Sequence, residues 1–184
     1  MKPFKSSYLI LIFLLATSFG CRPNKHNNTP DPSQASQSDS VAEYLEYANK
    51  ALNEHEEKKI MQYIQRHGWD LQTTSSGLRY KVYRKGEGVN ALPGNRVVVN
   101  YSLSTLNGIL LASSENDGPM AVIVERTDVI SGLHELLQFM NEGAKARAVI
   151  PSRLGYGFTG DQERIPKGAT LVYDVEVVSI DNNN

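Results

Sequence analysis

The amino-acid sequence predicts an α+β fold, in which a twisted antiparallel β-sheet wraps around one short helix and a charged helical segment precedes the sheet. Three observations support this prediction. Short segments with alternating apolar and polar residues recur after Gly77, which is typical of strands with one buried face. Within that part of the chain, apolar residues recur at helical spacing between residues 129 and 140. Residues 41–67 are highly charged and carry a narrow apolar stripe at helical spacing.

Turn residues bound the predicted strands. Residues 86–88 (Gly-Glu-Gly) and 92–95 (Leu-Pro-Gly-Asn) indicate turns, and residues 107–108 (Asn-Gly) are a strong hairpin signal. The last predicted strand places alternate apolar residues on one face, as expected for a strand with one buried side. The predicted strands cover residues 77–83, 96–103, 109–111, 120–125, 146–150 and 169–180.

Residues 1–20 have the order of a secretory signal peptide. Two early lysines are followed by a short apolar run, residues 8–16, and then by small residues. The sole cysteine, Cys21, follows Gly20, and this junction resembles the lipobox of bacterial lipoproteins, in which the cysteine is lipidated. We therefore predict lipidation of Cys21 and a lipid anchor on the periplasmic side of the outer membrane. The alternative is an ordinary leader cut after Ser18, which would leave a soluble protein with a free thiol.

Residues 21–40 lack large apolar side chains and consist largely of Pro, Asn, Ser, Gln and Asp, which predicts a disordered tether. Ser40 and Glu43 form a capping-box pattern. A charged helical segment is therefore predicted over residues 41–68, the last of which is a glycine. A shift in the apolar stripe predicts a break in this helix near Asn53.

The charged helix has two interpretations. In the first, it packs on its own domain or stands as a solvated stalk. In the second, residues 41–67 form an arm for homodimerisation or for docking onto a larger machine. The sequence alone does not choose between them. The remaining residues, 69–184, are predicted to form the folded domain.

Composition and motifs exclude several classes of function. The formal net charge is −1, without the basic face that a nucleic-acid partner requires. The four histidines have no partner at metal-ligand spacing, so no metal site is predicted. The glycine pattern of residues 155–160 matches a dinucleotide loop, but a loop-like segment rather than a helix follows, so no cofactor is predicted. No nucleophile at a recognised spacing indicates acyl transfer.

Four segments in the second half of the chain carry the functional information. They are residues 99–102 (Val-Asn-Tyr-Ser), 129–133 (Val-Ile-Ser-Gly-Leu), 154–157 (Leu-Gly-Tyr-Gly) and 165–175 (Ile-Pro-Lys-Gly-Ala-Thr-Leu-Val-Tyr-Asp-Val). In order and spacing they resemble the FK506-binding type of peptidyl-prolyl cis-trans isomerase, over residues 94–180. The leader, the charged helix and residues 106–108 also resemble isomerase-like lipoproteins of Bacteroidetes, including those associated with gliding motility.

The resemblance implies an enzyme that isomerises the bond before proline in exported polypeptides, and a pocket that would also take a macrolide of the FK506 type. It implies that Tyr101, Ile130 and Tyr156 carry catalysis. The Ile130 backbone N–H and the Tyr156 hydroxyl would hold substrate carbonyls. The residues that the resemblance assigns to substrate binding are Leu111, Met120, Val129, Leu133, Ile165 and Tyr173.

The sequence departs from the family pattern in two places. Leu111-Ala112 stands where the family usually has Phe-Asp, and Met120 stands where it usually has an aromatic residue. The missing carboxylate and aromatic rings predict a larger or softer pocket. A second interpretation therefore stays open, in which the domain is a weakly active or inactive proline-peptide-binding, chaperone-like module of a secretion or gliding apparatus.

Overall fold

The computed structural model describes the backbone of residues 32–181 and the side chains of residues 40–181. The predicted signal peptide, Cys21 and the first part of the predicted tether lie outside the described residues. None of the helices in the described part of the chain is long and apolar enough to cross a membrane. From Glu43 onward the described residues form one compact unit, while the described residues before Glu43 belong to a separate unit.

Helices and strands follow one another along the described residues in an α+β order. The helices are α1 (Pro32–His67), α2 (Ser114–Asp117) and α3 (Ser131–Leu137), with a 3₁₀ helix at Ser152–Leu154. The strands are β1 (Gln72–Thr73), β2 (Arg79–Arg84), β3 (Arg96–Thr105), β4 (Leu110–Ser113), β5 (Met120–Ile123), β6 (Lys145–Ile150) and β7 (Leu171–Asp181).

The strands form one antiparallel sheet in the order β1-β2-β6-β7-β3-β4, with β5 also paired to β3. Strand β7 lies inside the sheet, so that Tyr173 is opposite Ala148 of β6 on one side and Leu103 of β3 on the other. Gly108 has a φ of 79° at the tip of the β3–β4 hairpin, a conformation that favours glycine. The predicted α+β fold and the hairpin are confirmed.

Alternation along β7 separates the two faces of the sheet. Tyr173 and Val175 belong to a buried apolar cluster that contains Leu133 of α3. Val172, next to Tyr173, belongs instead to a second cluster that contains Ile60 of α1. Successive strand residues point to opposite faces, so α3 and the C-terminal part of α1 cover opposite faces of the sheet.

Helix α1 differs from its prediction in two respects. It begins at Pro32 rather than at residue 41, so residues 32–40 of the predicted tether are helical, and it runs through Asn53 without a break. Extending an existing helix costs far less than nucleating one, and proline is tolerated at the first helical position. A shift in the apolar stripe changes which face of a helix is buried, but it does not interrupt the backbone hydrogen bonds.

The C-terminal end of α1 is fixed on the sheet. Gly68 has a φ of 60°, its N–H donates to the Gln65 carbonyl at 3.1 Å, and the Trp69 N–H donates to the Ile64 carbonyl at 3.1 Å. These two bonds form the glycine-terminated motif that closes many helices. Ile60 is buried just before this end. This part of α1 therefore packs on its own domain, as the first interpretation of the charged helix expected.

The shortest helices and strands were not predicted, because they contain too few residues to show a hydrophobic periodicity. Strand β1 and helix α2 are the clearest cases. Helix α3 is also shorter than the predicted segment, residues 129–140: it ends at Leu137, and it starts only at Ser131 because Ile130 is not helical, with a φ of −59° and a ψ of 143°. The chain therefore bends at Ile130, and this bend contributes to the candidate site.

Candidate active site

Three tyrosines from three parts of the fold meet at one end of the apolar cluster. Tyr101 lies on β3 and Tyr173 on β7, and their ring centroids are 6.4 Å apart. Tyr173 is buried and Tyr101 is half-buried, whereas Tyr156, on the loop after the 3₁₀ helix, is 38% exposed. The site thus combines two rings on adjacent strands with a third, more exposed ring on a loop.

The hydroxyls of these tyrosines share one electrostatic environment. Burial raises the pKa of Tyr173, and the neighbouring Tyr156 and Tyr101 raise it further. Burial also raises the pKa of Tyr156, with smaller contributions from Asp161, Asp128 and Tyr101. Each hydroxyl therefore stays protonated at neutral pH and is able to donate a hydrogen bond.

None of the three hydroxyls hydrogen-bonds to another described residue. Among the residues whose side chains the structure describes, Ser113 Oγ is the fully buried side-chain polar atom without a partner. The Tyr173 hydroxyl is thus not sealed in the core, although its ring is. An apolar site with unused hydroxyls is suited to a ligand that offers carbonyl groups.

Ile130 presents a backbone donor to the same region. Its carbonyl accepts the N–H groups of Leu133 at 3.0 Å and His134 at 3.3 Å, which starts α3. No described residue accepts the Ile130 N–H. The Ile130 side chain is buried in the apolar cluster. The prediction that this N–H holds a substrate carbonyl is therefore compatible with the hydrogen bonds of the protein.

The loop over residues 155–168 is shaped by Asp161. One carboxylate oxygen, Oδ1, accepts the N–H groups of Glu163 at 3.0 Å, Arg164 at 2.9 Å and Ile165 at 2.6 Å. The backbone hydrogen bonds, that of Ile165 first, lower the pKa of Asp161. A carboxylate that gathers three N–H groups fixes a tight turn, and this turn directs Ile165 into the apolar cluster.

Gly160 makes that turn sterically possible. A Cβ atom at this position would lie 2.2 Å from the Ile165 carbonyl oxygen, and the φ of Gly160 is 69°. Both the close approach and the positive φ require glycine.

The predicted substrate-binding residues lie in or against one apolar cluster. Leu133, Ile165 and Tyr173 are buried members of it, and Leu111, Met120 and Val129 are half-buried residues packed against it. Tyr101 also packs against this cluster, whereas Tyr156 stands at its exposed edge. Their roles in binding a substrate stay predictions.

A carboxylate that sequence reasoning missed lies beside Tyr101. Ala112 is opposite Leu103 in the β3–β4 ladder and offers no acceptor. Asp117, at the end of α2, raises the pKa of Tyr101, although burial is the larger cause. The Asp117 Oδ2 atom also accepts the Ser113 N–H at 3.4 Å. Helix α2 has four residues, so no periodicity in the sequence indicated it.

Glu56 of α1 was also missed, and it connects this helix to the loop that carries Tyr156. Its Oε1 atom accepts the Ser152 N–H and the Thr170 hydroxyl, each at 2.6 Å, and its Oε2 atom accepts the Ser152 hydroxyl at 3.0 Å. Ser152 and Thr170 flank the loop on its two sides. The sequence spacing of Glu56 from these partners gives no local signal, since the contacts are tertiary.

Comparison with known proteins identifies the class to which this fold and site belong. Residues 88–178 match the model of the FKBP-type peptidyl-prolyl cis-trans isomerase family. The chain therefore contains an FKBP-type peptidyl-prolyl cis-trans isomerase domain. No group of three or more His, Cys, Asp or Glu residues that could hold a metal ion occurs in the part of the chain that the structure describes.

Relatives and solved structures agree on this class. The chain is 39% identical over 111 residues to a probable FKBP-type peptidyl-prolyl cis-trans isomerase FkpA of Neisseria meningitidis, covering 60% of this chain and 40% of the relative. It is 36% identical over 110 residues to the FKBP-type 22 kDa peptidyl-prolyl cis-trans isomerase of Escherichia coli, covering 60% and 53%. The chain thus spans about half the length of the relatives it matches.

Two crystal structures have the same fold. The structure of FkpA from Escherichia coli matches with a TM-score of 0.64 and 28% identity, covering 83% of this chain and 71% of that chain. A peptidyl-prolyl cis-trans isomerase from Pseudomonas syringae pv. tomato matches with a TM-score of 0.62 and 26% identity, covering 72% and 96%. Both matches extend the similarity beyond sequence to the arrangement of the sheet and helices.

Proposed function

We propose that this protein is a peptidyl-prolyl cis-trans isomerase that acts on proline-containing polypeptides. The observation that carries the proposal is the apolar site in which Tyr101, Tyr156 and Tyr173 keep their hydroxyls free of other described residues. The family match over residues 88–178 supports the same reaction. A macrolide of the FK506 type, which the family binds, would occupy the same site.

The chemistry of the reaction suits such a site. Rotation about a peptide bond has a barrier of about 18–20 kcal/mol, because the twisted amide loses its conjugation. The cis and trans forms before proline differ by only about 0.5–1 kcal/mol, so lowering the barrier changes the rate at which both are reached. The twisted amide has less charge separation than the planar one, and a dry apolar pocket favours it. Binding the twisted state more tightly than the planar state is sufficient for catalysis.

The protein's own donors would orient the substrate during this rotation. The Ile130 N–H and the Tyr156 hydroxyl would each hold a carbonyl of the chain, while Leu133, Ile165 and Tyr173 surround the proline ring. Fixing the chain on both sides of the bond confines the motion to that bond. No covalent intermediate is formed, and no cofactor takes part.

The cellular role that we propose is assistance to the folding of exported proteins. The order of residues 1–20 and the position of Cys21 support export and lipidation. A lipid on Cys21 would anchor the protein, on our proposal to the periplasmic side of the outer membrane. Labelling with an alkyne-tagged fatty acid tests this: the natural protein is expected to be labelled and a Cys21→Ser variant is not.

A second candidate function is a weakly active binding or chaperone-like module of a secretion or gliding apparatus. Leu111, Ala112 and Met120 favour it, because they replace the carboxylate and aromatic residues usual in the family. Tyr44 and Tyr47 of α1, which are 70% and 72% exposed, would supply a surface for a second copy or another component. Asp117 argues for retained activity, since it supplies a carboxylate near Tyr101 from another position.

An isomerisation assay on a short prolyl peptide separates the two candidates. The intact protein is expected to accelerate isomerisation, and Tyr156→Phe is expected to lower kcat/KM because it removes the hydroxyl at the rim. Tyr47→Phe is the matched control, since it makes the same change at an exposed position on α1. A rate no higher than the uncatalysed rate would overturn the enzyme and favour the binding module.

A further inference from the structure

A cavity lies between α1, the β3–β4 hairpin and the segment that leads into β7. Its volume is about 560 Å³, and we call it the α1 groove. Residues 52–66 of α1 contribute one wall, residues 105–109 of the hairpin contribute another, and residues 166–170 contribute a third. It is separate from the apolar cluster that contains Tyr173, because α1 packs on the opposite face of the sheet. The groove falls within the size range of pockets that bind ligands, about 300–1,000 Å³.

The side chains that line the α1 groove carry more positive than negative charge. Lys59, Arg66 and Lys167 line it, and Glu56 is the carboxylate among its lining residues. That carboxylate already accepts three hydrogen bonds, from Ser152 and Thr170.

The basic groups, by contrast, are available. Lys59 and Lys167 form no ion pair with any described residue. Arg66 donates only to the Gln62 carbonyl of its own helix, at 3.4 Å. The groove therefore presents uncompensated positive charge to an occupant.

Apolar side chains accompany these charges. Leu52 of α1 is 51% exposed, Ile109 of the hairpin is 61% exposed and Phe158 is 56% exposed, although all three line the groove. Large apolar side chains left open beside basic groups favour an occupant with both acidic and apolar groups. An acidic polypeptide segment with interspersed apolar residues has this chemistry.

One loop serves both the candidate active site and the α1 groove. Tyr156 and Ile165 of this loop belong to the active site, while Phe158, Pro166 and Lys167 line the groove. A polypeptide held in the groove would thus contact the same loop that carries Tyr156 and Ile165.

We propose that the α1 groove binds an acidic, apolar-containing segment of the polypeptide substrate, at a distance along the substrate from its prolyl bond. The identity of the occupant as a substrate rests on the isomerase function proposed above. The groove itself is defined by its charges and its apolar walls. Two attachment points on one chain raise the effective concentration of the prolyl bond at the active site.

Fluorescence anisotropy on the intact protein tests this proposal. The probe is a fluorescein-labelled, proline-free peptide in which Asp alternates with Leu and Phe. We expect saturable binding that weakens as salt rises, because exposed charges are screened. The Lys59→Glu/Lys167→Glu double variant is expected to bind about tenfold more weakly, since attractive pairs are replaced by repulsive ones. The matched control is Lys58→Glu/Lys85→Glu, which makes the same charge change at exposed lysines outside the groove and is expected to bind normally.

Three results would overturn the proposal: equal binding by the two double variants, equal binding of a peptide with Lys in place of Asp, or no binding at all. Sedimentation provides a further outcome: if Lys59→Glu/Lys167→Glu changes the oligomeric state and leaves peptide affinity unchanged, the groove holds a second copy instead. The probe lacks proline, so turnover of a prolyl peptide is a separate measurement. Its absence would overturn the proposed function and leave the binding result standing.

Discussion

The carboxylate of Glu56 on α1 accepts two hydrogen bonds from Ser152, one from its N–H at 2.6 Å and one from its hydroxyl at 3.0 Å. Ser152 begins the 3₁₀ turn that precedes Tyr156, so this contact ties α1 to the loop of the candidate site. Glu57, the next residue, pairs with the buried guanidinium of Arg79 on β2. Helix α1 is therefore held to the sheet by polar contacts as well as by its apolar face.

We expect Glu56→Ala to destabilise the protein by about 2 kcal/mol, because it leaves the buried Ser152 without its acceptor. Urea unfolding followed by the fluorescence of Trp69 measures this change. Trp69 is a suitable probe because its ring lies against Tyr63 of α1, with the centroids 5.3 Å apart. Glu54→Ala, an exposed change on the same helix, is expected to stay within about 0.5 kcal/mol of the natural protein. Equal effects of the two substitutions would contradict the role given to Glu56.

Removing the Asp161 carboxylate, which accepts three backbone N–H groups, is expected to impair turnover more than folding. In Asp161→Ala the N–H groups of Glu163, Arg164 and Ile165 lose their shared acceptor, and Ile165 shifts within the site. We expect kcat/KM to fall about tenfold, or ~1.4 kcal/mol of transition-state stabilisation. Asp161→Asn keeps an oxygen at Oδ1 and is expected to lose less. If Asp161→Ala and Asp161→Asn reduced turnover equally, charge rather than turn geometry would explain the effect.

The Asp161 turn is expected to persist through mildly acidic solution. Backbone hydrogen bonds lower the pKa of this carboxyl below its ordinary value of 3.8. A depressed pKa means that the contribution of the charged form is present above the ordinary value and is lost as pH falls through the lower, folded value. Amide hydrogen exchange at Ile165 should therefore show protection that is constant above about pH 4. Protection that disappears between pH 5 and pH 6 would disagree with this expectation.

We expect removal of the Asp117 charge to lower the pKa of Tyr101. Burial is the main cause of the raised pKa of Tyr101, and the charge of Asp117 adds to it. In Asp117→Asn this pKa should fall while remaining above its ordinary value of 10.0, because the burial is unchanged. Ultraviolet difference titration against Tyr101→Phe measures the change. Glu115→Gln removes a charge from the same short helix and should leave the titration of Tyr101 where it was.

The hydrogen bond from Tyr83 to Asp174 is expected to make the stability of the protein depend on pH in alkaline solution. Burial and the hydrogen bond from its hydroxyl to Asp174 Oδ1, at 2.6 Å, raise the pKa of Tyr83 to about 12. Because the folded value is raised, the stability that this contact contributes is fully present below pH 10 and is lost as pH rises through about 12. The difference in unfolding free energy between the natural protein and Tyr83→Phe should shrink over that interval. A difference that is constant from pH 9 to pH 12 would show that the hydroxyl makes no such contribution.

The sequence correctly predicted the structural features that depend on residues close together in the chain. The alternation along β7 and the Asn107-Gly108 turn are properties of adjacent residues, and both appear in the structure as expected. The prediction placed the start of α1 too late because it took the capping-box pattern of Ser40 and Glu43 as the first turn, whereas the helix already begins at Pro32.

Contacts between distant residues could not be predicted in the same way. Glu56 and Ser152 are 96 residues apart, so only the assembled fold brings them together. Asp117 lies on a helix of one turn, where no period exists to detect. The family resemblance identified Tyr101 and Tyr156 as candidate site residues. It did not indicate which carboxylate would lie near them, because Ala112 stands where the family usually has an aspartate.

The interior position of β7 has a consequence for how the domain is made. This strand pairs with β6 along one edge and with β3 along the other, yet it comes last among the strands of the described residues. Synthesis proceeds from the N-terminus, so β3 and β6 have unpaired inner edges until β7 is made. The emergence of Leu171–Asp181 would therefore set the moment at which a nascent chain becomes able to fold.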